Sequence, residues 1–171
     1  MKLAESKRRI VIAVTETTPV QRLWGTAMRL LADSPAELVT LFVEEDRWRR
    51  VASLPFTQEV SRTGPIANFT RYRAEQIQKD AIARARKMIR RLAEKERVEP
   101  SFEVLPETDV DRLRMVLDSS GNVLVAPAFI SSRPVYRVLA QFDCTILLVE
   151  VPERQAAPDV TSAGGRPTQT R

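Results

Sequence analysis

Five short apolar runs alternate with segments of helical period, and that alternation restricts the fold more than any single motif does. Residues 10–14 (IVIAV) form an unbroken, β-branched run, the pattern of a parallel strand covered on both faces. Residues 37–43 (ELVTLFV), 101–105 (SFEVL), 123–126 (VLVA) and 144–151 (CTILLVEV) supply four further strands. Strands that alternate with helices require right-handed crossovers, and therefore a parallel sheet with helices on both faces. The expected fold class is α/β, a doubly wound five-stranded sheet whose ligand crevice lies beyond the carboxyl ends of the strands.

The helical segments carry their own signals. Thr18, Pro19 and Gln21 predict a helix start, with Thr18 as N-cap, Pro19 in the first helical position and Gln21 closing a capping box. Val20, Leu23, Trp24, Ala27, Leu30 and Leu31 then fall on one face. Residues 44–69 have no sustained period, and a stretch of that length is a functional lid or contains short helices of its own. A long helix over residues 70–97 places Ala74, Ile77, Ala81, Ala85, Met88, Ile89 and Leu92 on one arc. Asp109 caps a short helix that stops at Ser119-Ser120-Gly121, and Arg133-Pro134 opens the last one. From Pro152 the composition turns to Pro, Gly, Thr and Gln without apolar period. The chain therefore divides into one α/β domain over residues 1–152 and a disordered polar tail over residues 153–171.

Composition removes several chemistries. The chain has no histidine and one cysteine, Cys144, inside an apolar run. A zinc site, a Ser-His-Asp triad and a Cys-His pair are excluded, and Cys144 is expected to be a small buried hydrophobe. The basic head is followed by only a short apolar run and then by polar TETT, so neither a signal peptide nor a membrane span is expected, and the predicted location is cytoplasmic. The acidic residues nearest the crevice, Glu16, Glu44, Glu45 and Asp46, sit on two different strand ends and are expected to solvate loop ends, so no enzymatic activity is predicted. The net charge of +5 is concentrated in residues 71–97, which hold ten basic and four acidic residues. A solvated helix face accounts for that charge better than nucleic-acid binding, because Tyr72 is the one aromatic side chain among the cations.

In order and spacing these segments resemble the universal stress protein family: an opening RRIVIAV, a second strand AELVTLFVEE, a long variable segment, a long charged helix and a closing FDCTILLVEV. The resemblance covers residues 8–151 and implies strand order 3-2-1-4-5. ATP-binding members of that family resemble one another in an acidic residue at the end of strand one and a G-x2-G-x9-G-(S/T) loop after strand four. Glycines there let backbone N–H groups approach phosphates at a helix N-terminus. Here strand one ends in Val14-Thr15, and the segment APAFISSRPVYRVLAQFDC contains no glycine. Ser132-Arg133 stands where the family has its last Gly-Ser, after a shortened connection.

The resemblance therefore implies a binding and signalling module that lacks ATP or any other cofactor and acts as a homodimer, with a further protein partner that the sequence does not name. The alternatives are a nucleotide-binding member with a serine-based phosphate loop, or weak nucleic-acid binding through the basic helix over residues 71–97. Candidate cleft residues are Thr15, Val43, Ser131, Ser132 and Arg133, with no catalytic or metal-binding residue. Dimerisation is expected through the strand from Cys144 to Val151, since a long apolar edge calls for a partner.

Overall fold

The computed structural model describes residues 7–54, 58–59, 67–68 and 70–153. Strand β1 (Arg9–Val14) leads into helix α1 (Val20–Asp33), strand β2 (Glu37–Glu44) and a short helix α2 (Arg47–Ser53). A two-residue antiparallel pair, β3 (Gln58–Glu59) with β4 (Ala67–Asn68), precedes the long helix α3 (Arg71–Glu96). Then come β5 (Ser101–Pro106), α4 (Val110–Leu117), β6 (Val123–Pro127), a 3₁₀ turn (Ala128–Ser132), α5 (Pro134–Leu139) and β7 (Thr145–Val149). The main sheet is all parallel, in the order β5-β2-β1-β6-β7. Counted by its five strands alone, this is the predicted order 3-2-1-4-5.

The continuous apolar pattern of β1 has a direct cause. Ile10, Ile12 and Val14 enter a core with α1 and α3, while Val11 and Ala13 enter a second core with α4 and α5. All five are essentially inaccessible to solvent, so the sheet is dry on both faces along its central strand. At the opposite end from the crevice, Asn122 is buried, accepts from the Arg9 N–H at 2.9 Å and donates to the Leu117 carbonyl at 3.1 Å, tying β1 to the α4–β6 connection.

Helix α3 follows its predicted bounds. Thr70 caps it by accepting from the Arg73 N–H at 3.2 Å, and Arg97 ends it in the left-handed region at φ 55°. Its buried residues include Ala74, Ala81, Ala85 and Ile89, with Ala93 and Gln78 added. The period-free stretch after β2 contains α2, a short helix of its own. The disordered tail expected of residues 153–171 lies, from residue 154 on, outside the described residues.

One predicted helix start is corrected and one holds. Helix α1 begins at Val20 rather than Pro19, and the Thr18 hydroxyl accepts from the Thr15 N–H at 3.0 Å, closing the turn after β1 instead of capping the helix. Helix α5 opens as predicted, with Arg133 in the N-cap position and Pro134 as its first residue, and Ser132 belongs to the preceding 3₁₀ turn.

Candidate functional site

In a doubly wound sheet the crevice opens where successive connections leave on opposite sides, here between β1 and β6. Three segments meet there: Thr15–Thr18 after β1, Glu45–Arg47 after β2, and Ala128–Arg133 after β6. Each strand delivers its side chain by ending at the same edge of the sheet, so residues remote in sequence come together without any local signal.

The crevice is filled by a buried charge network. Arg133 Nη1 donates to Glu45 Oε2 at 3.2 Å and to Thr17 Oγ1 at 3.2 Å. Its Nη2 also reaches Thr17 Oγ1 and pairs with the Glu153 carboxylate just beyond β7. The guanidinium lies over the Phe129 ring, 4.9 Å from its centroid. Arg47 Nε donates to Glu16 Oε1 at 3.0 Å and lies 3.4 Å from Glu45 Oε2. The Glu16 and Glu45 side chains are 1% and 4% exposed, and Arg133 is 12% exposed. Charges this dry persist only when paired and hydrogen-bonded.

The electrostatics follow from that burial. Desolvation pushes the Glu45 carboxyl up to about 7, the Glu16 carboxylate beside it pushes the same way, and Arg133 and Arg47 oppose both. Burial also lowers the Arg133 guanidinium from its ordinary value, an effect that Glu45 counteracts. The Glu45 backbone is held from behind, where buried Gln78 of α3 donates to its carbonyl at 3.2 Å. One residue on, the Asp46 N–H donates to Glu107 Oε1 at 2.9 Å, which fixes the start of α2.

The predicted cleft residues separate into two groups. Arg133 is central. Thr15 is buried, but its hydroxyl and N–H are engaged with Thr18, which makes it a turn residue. Val43 is core, packed beneath the crevice with Leu41 and Leu105. Ser131 and Ser132 are exposed, and their hydroxyls donate back to the Ala128 and Phe129 carbonyls at 2.8 and 3.0 Å. Pro127 and Pro134 flank the turn and lack N–H groups. These residues do not fit a triphosphate cradle, because the hydroxyls bond within their own turn and the one cation points inward at a carboxylate.

Glu16 and Glu45 correct the sequence expectation that they solvate loop ends: both are buried, and the structure joins them through Arg47. Arg47 and Glu107 were not predicted at all. The usable signal was positional, since Glu16 and Glu45 follow adjacent strands at the ligand-binding edge of a doubly wound sheet. Among the described residues no group of three or more carboxylates and thiols is arranged to hold a metal. Cys144 is half-buried, and desolvation, with Asp118 and Asp143 nearby, holds its thiol protonated, consistent with a packing role. No helix among the described residues is long and apolar enough to cross a membrane.

No protein-family model and no curated protein matches the chain. Among solved structures, the chain is similar to a protein from the universal stress protein family of Burkholderia pseudomallei, at 17% identity and a TM-score of 0.43, over 85% of this chain and 97% of that one.

Proposed function

We propose that this chain is a universal-stress-type binding and signalling module whose crevice is closed to nucleotide by its own Arg133, and which works as a homodimer through β7. The observation that carries the reading is the pairing of Arg133 with Glu45 and Thr17 at the switch point. A triphosphate entering there meets two buried carboxylates, and the cation that would welcome it is already committed. The serine-based phosphate loop has less support, because both hydroxyls are spent on carbonyls of their own turn.

Dimerisation rests on the edge position of β7, where Leu147 and Leu148 are each 38% exposed. Signalling is then a matter of protein contacts rather than of nucleotide turnover, and no residue of the crevice is assigned a catalytic role. Calorimetric titration with Mg-ATP and with AMP tests the closed crevice. Absence of heat at millimolar nucleotide is the expected result, and micromolar ATP binding abolished by Ser132→Pro would overturn it in favour of the serine loop.

A further inference from the structure

Helix α3 carries nine of the chain's 27 basic residues, and four of them line one exposed stretch without a neutralising partner among the described residues. Among the described residues no carboxylate lies within ion-pair distance of Lys79, Arg86, Lys87 or Arg90, although Asp80 and Glu94 share the helix. These four side chains wall a shallow surface groove whose floor is Ile82 and Ala83. Arg86 is pre-positioned in it, with its guanidinium 4.9 Å from the centre of the Phe102 ring on edge strand β5.

Tyr72 stands outside this groove, towards the N-terminus of the same helix. It is 70% exposed and stands one and two heptads before Lys79 and Arg86, which places all three on one side of the helix. The rise of a helix spaces Tyr72, Lys79 and Arg86 about 10 Å apart, with Arg90 about 6 Å further on. Tyr72 is the one aromatic side chain among these cations, and the structure adds that it is exposed and in line with them: the cations can track phosphates while the ring stacks a base of any identity.

Other occupants fit less well. A membrane-surface helix must offer an apolar face to lipid, whereas the apolar side of α3 is packed on α1 and the sheet. Insertion into a duplex groove requires a protruding helix, and that same packing holds α3 against the body of the domain.

We propose that the Tyr72–Lys79–Arg86–Arg90 face of α3 binds single-stranded nucleic acid without sequence preference. The site is separate from the crevice and does not depend on how the crevice is read.

Fluorescence anisotropy with fluorescein-labelled oligothymidylate and oligouridylate, over a salt series, tests the proposal. Binding is expected to weaken with salt, at a slope of about −2 in the logarithmic plot for three neutralised phosphates. Joint substitution Lys79→Glu, Arg86→Glu and Arg90→Glu should abolish it. The joint change Arg112→Glu, Arg114→Glu and Arg137→Glu, on the opposite face and with the same net charge, should leave it within about twofold. Tyr72→Ala should weaken it about tenfold with the salt slope unchanged. Thermal melts followed by circular dichroism verify that each variant folds.

Three results would overturn the proposal: no binding at low salt, equal loss in both charge-reversed variants, or full affinity in Tyr72→Ala together with equal competition by duplex. Tighter binding to phosphatidylserine vesicles than to either oligonucleotide would overturn it as well.

Discussion

Arg133 and Glu45 are 88 residues apart in the chain and 3.2 Å apart in the crevice, and Arg133 is the nearest cation to the buried Glu45 carboxyl. Removing the guanidinium leaves Glu45 with Arg47 alone, a partner that Glu16 already shares. Arg133→Leu should therefore destabilise the fold by about 3–5 kcal/mol at pH 8, the usual result of stranding one member of a buried pair. Adding Glu45→Gln to that variant should recover part of the loss. Urea denaturation of the native protein, both single variants and the double variant measures both effects, and additive losses would show that the two residues do not interact.

Glu45 also makes stability depend on pH. Its carboxyl titrates near 7 in the folded chain, above the ordinary value of 4.5 that applies when the chain unfolds. The folded state therefore binds more protons than the unfolded state between those values, and the sign follows. The contribution of Glu45 is fully present below pH 4.5 and is lost as pH rises through 7, by about 3 kcal/mol in total. Stability of the native protein minus that of Glu45→Gln, measured by denaturation at pH 5 and pH 8, should fall across this window. A difference that stays flat would mean that Glu45 is ionised throughout.

The fold was legible in the sequence because a sheet buried on both faces leaves unbroken apolar runs, and β1 is the clearest case, with each residue from Ile10 to Val14 in one core or the other. Helix α3 was legible for a related reason, its arc of alanines at helical spacing. The crevice was not. Glu16 and Glu45 are charged residues after strands, and locally such residues look like solvated loop ends; they are buried against cations from other segments, Glu16 against Arg47 and Glu45 against Arg133. Thr18 misled in the opposite way, because a good N-cap residue was drawn instead into the turn with Thr15.

Edge strand β7 bears the predicted dimer contact. Leu148 is in register with Ala126 and Leu147 with Val125, so the two leucines lie on opposite faces of the sheet, and both stay 38% exposed. A single strand edge that leaves apolar side chains open on both faces is an association surface unless it is paired. Leu148→Lys should convert a dimer to a monomer in sedimentation equilibrium while the far-ultraviolet circular dichroism stays native. A native chain that remains monomeric at high micromolar concentration would remove the dimer from the proposed function.

The last described residue, Glu153, separates the role of the domain's end from that of the segment beyond it. Its carboxylate faces Arg133 Nη2 on the solvent side of the network, opposite Glu45, so it ties the end of β7 to the crevice. Residues 155–171 contain too few apolar side chains to offset the entropy of ordering them, and their deletion should leave the melting temperature nearly unchanged. Glu153→Gln keeps the chain length but removes one of the two carboxylates on Arg133. Because Glu153 is 43% exposed and screened by solvent, its loss should lower stability by no more than about 1 kcal/mol, far less than Arg133→Leu. The effect should also be smaller at pH 8 than at pH 5, since ionised Glu45 then holds the guanidinium without help, whereas protonated Glu45 leaves Glu153 as its main anionic partner. Thermal melts of the truncated chain and of Glu153→Gln at both pH values make the comparison. A larger loss on truncation than on Glu153→Gln would show that the polar segment packs on the domain, with the edge of β7 as the first place to look.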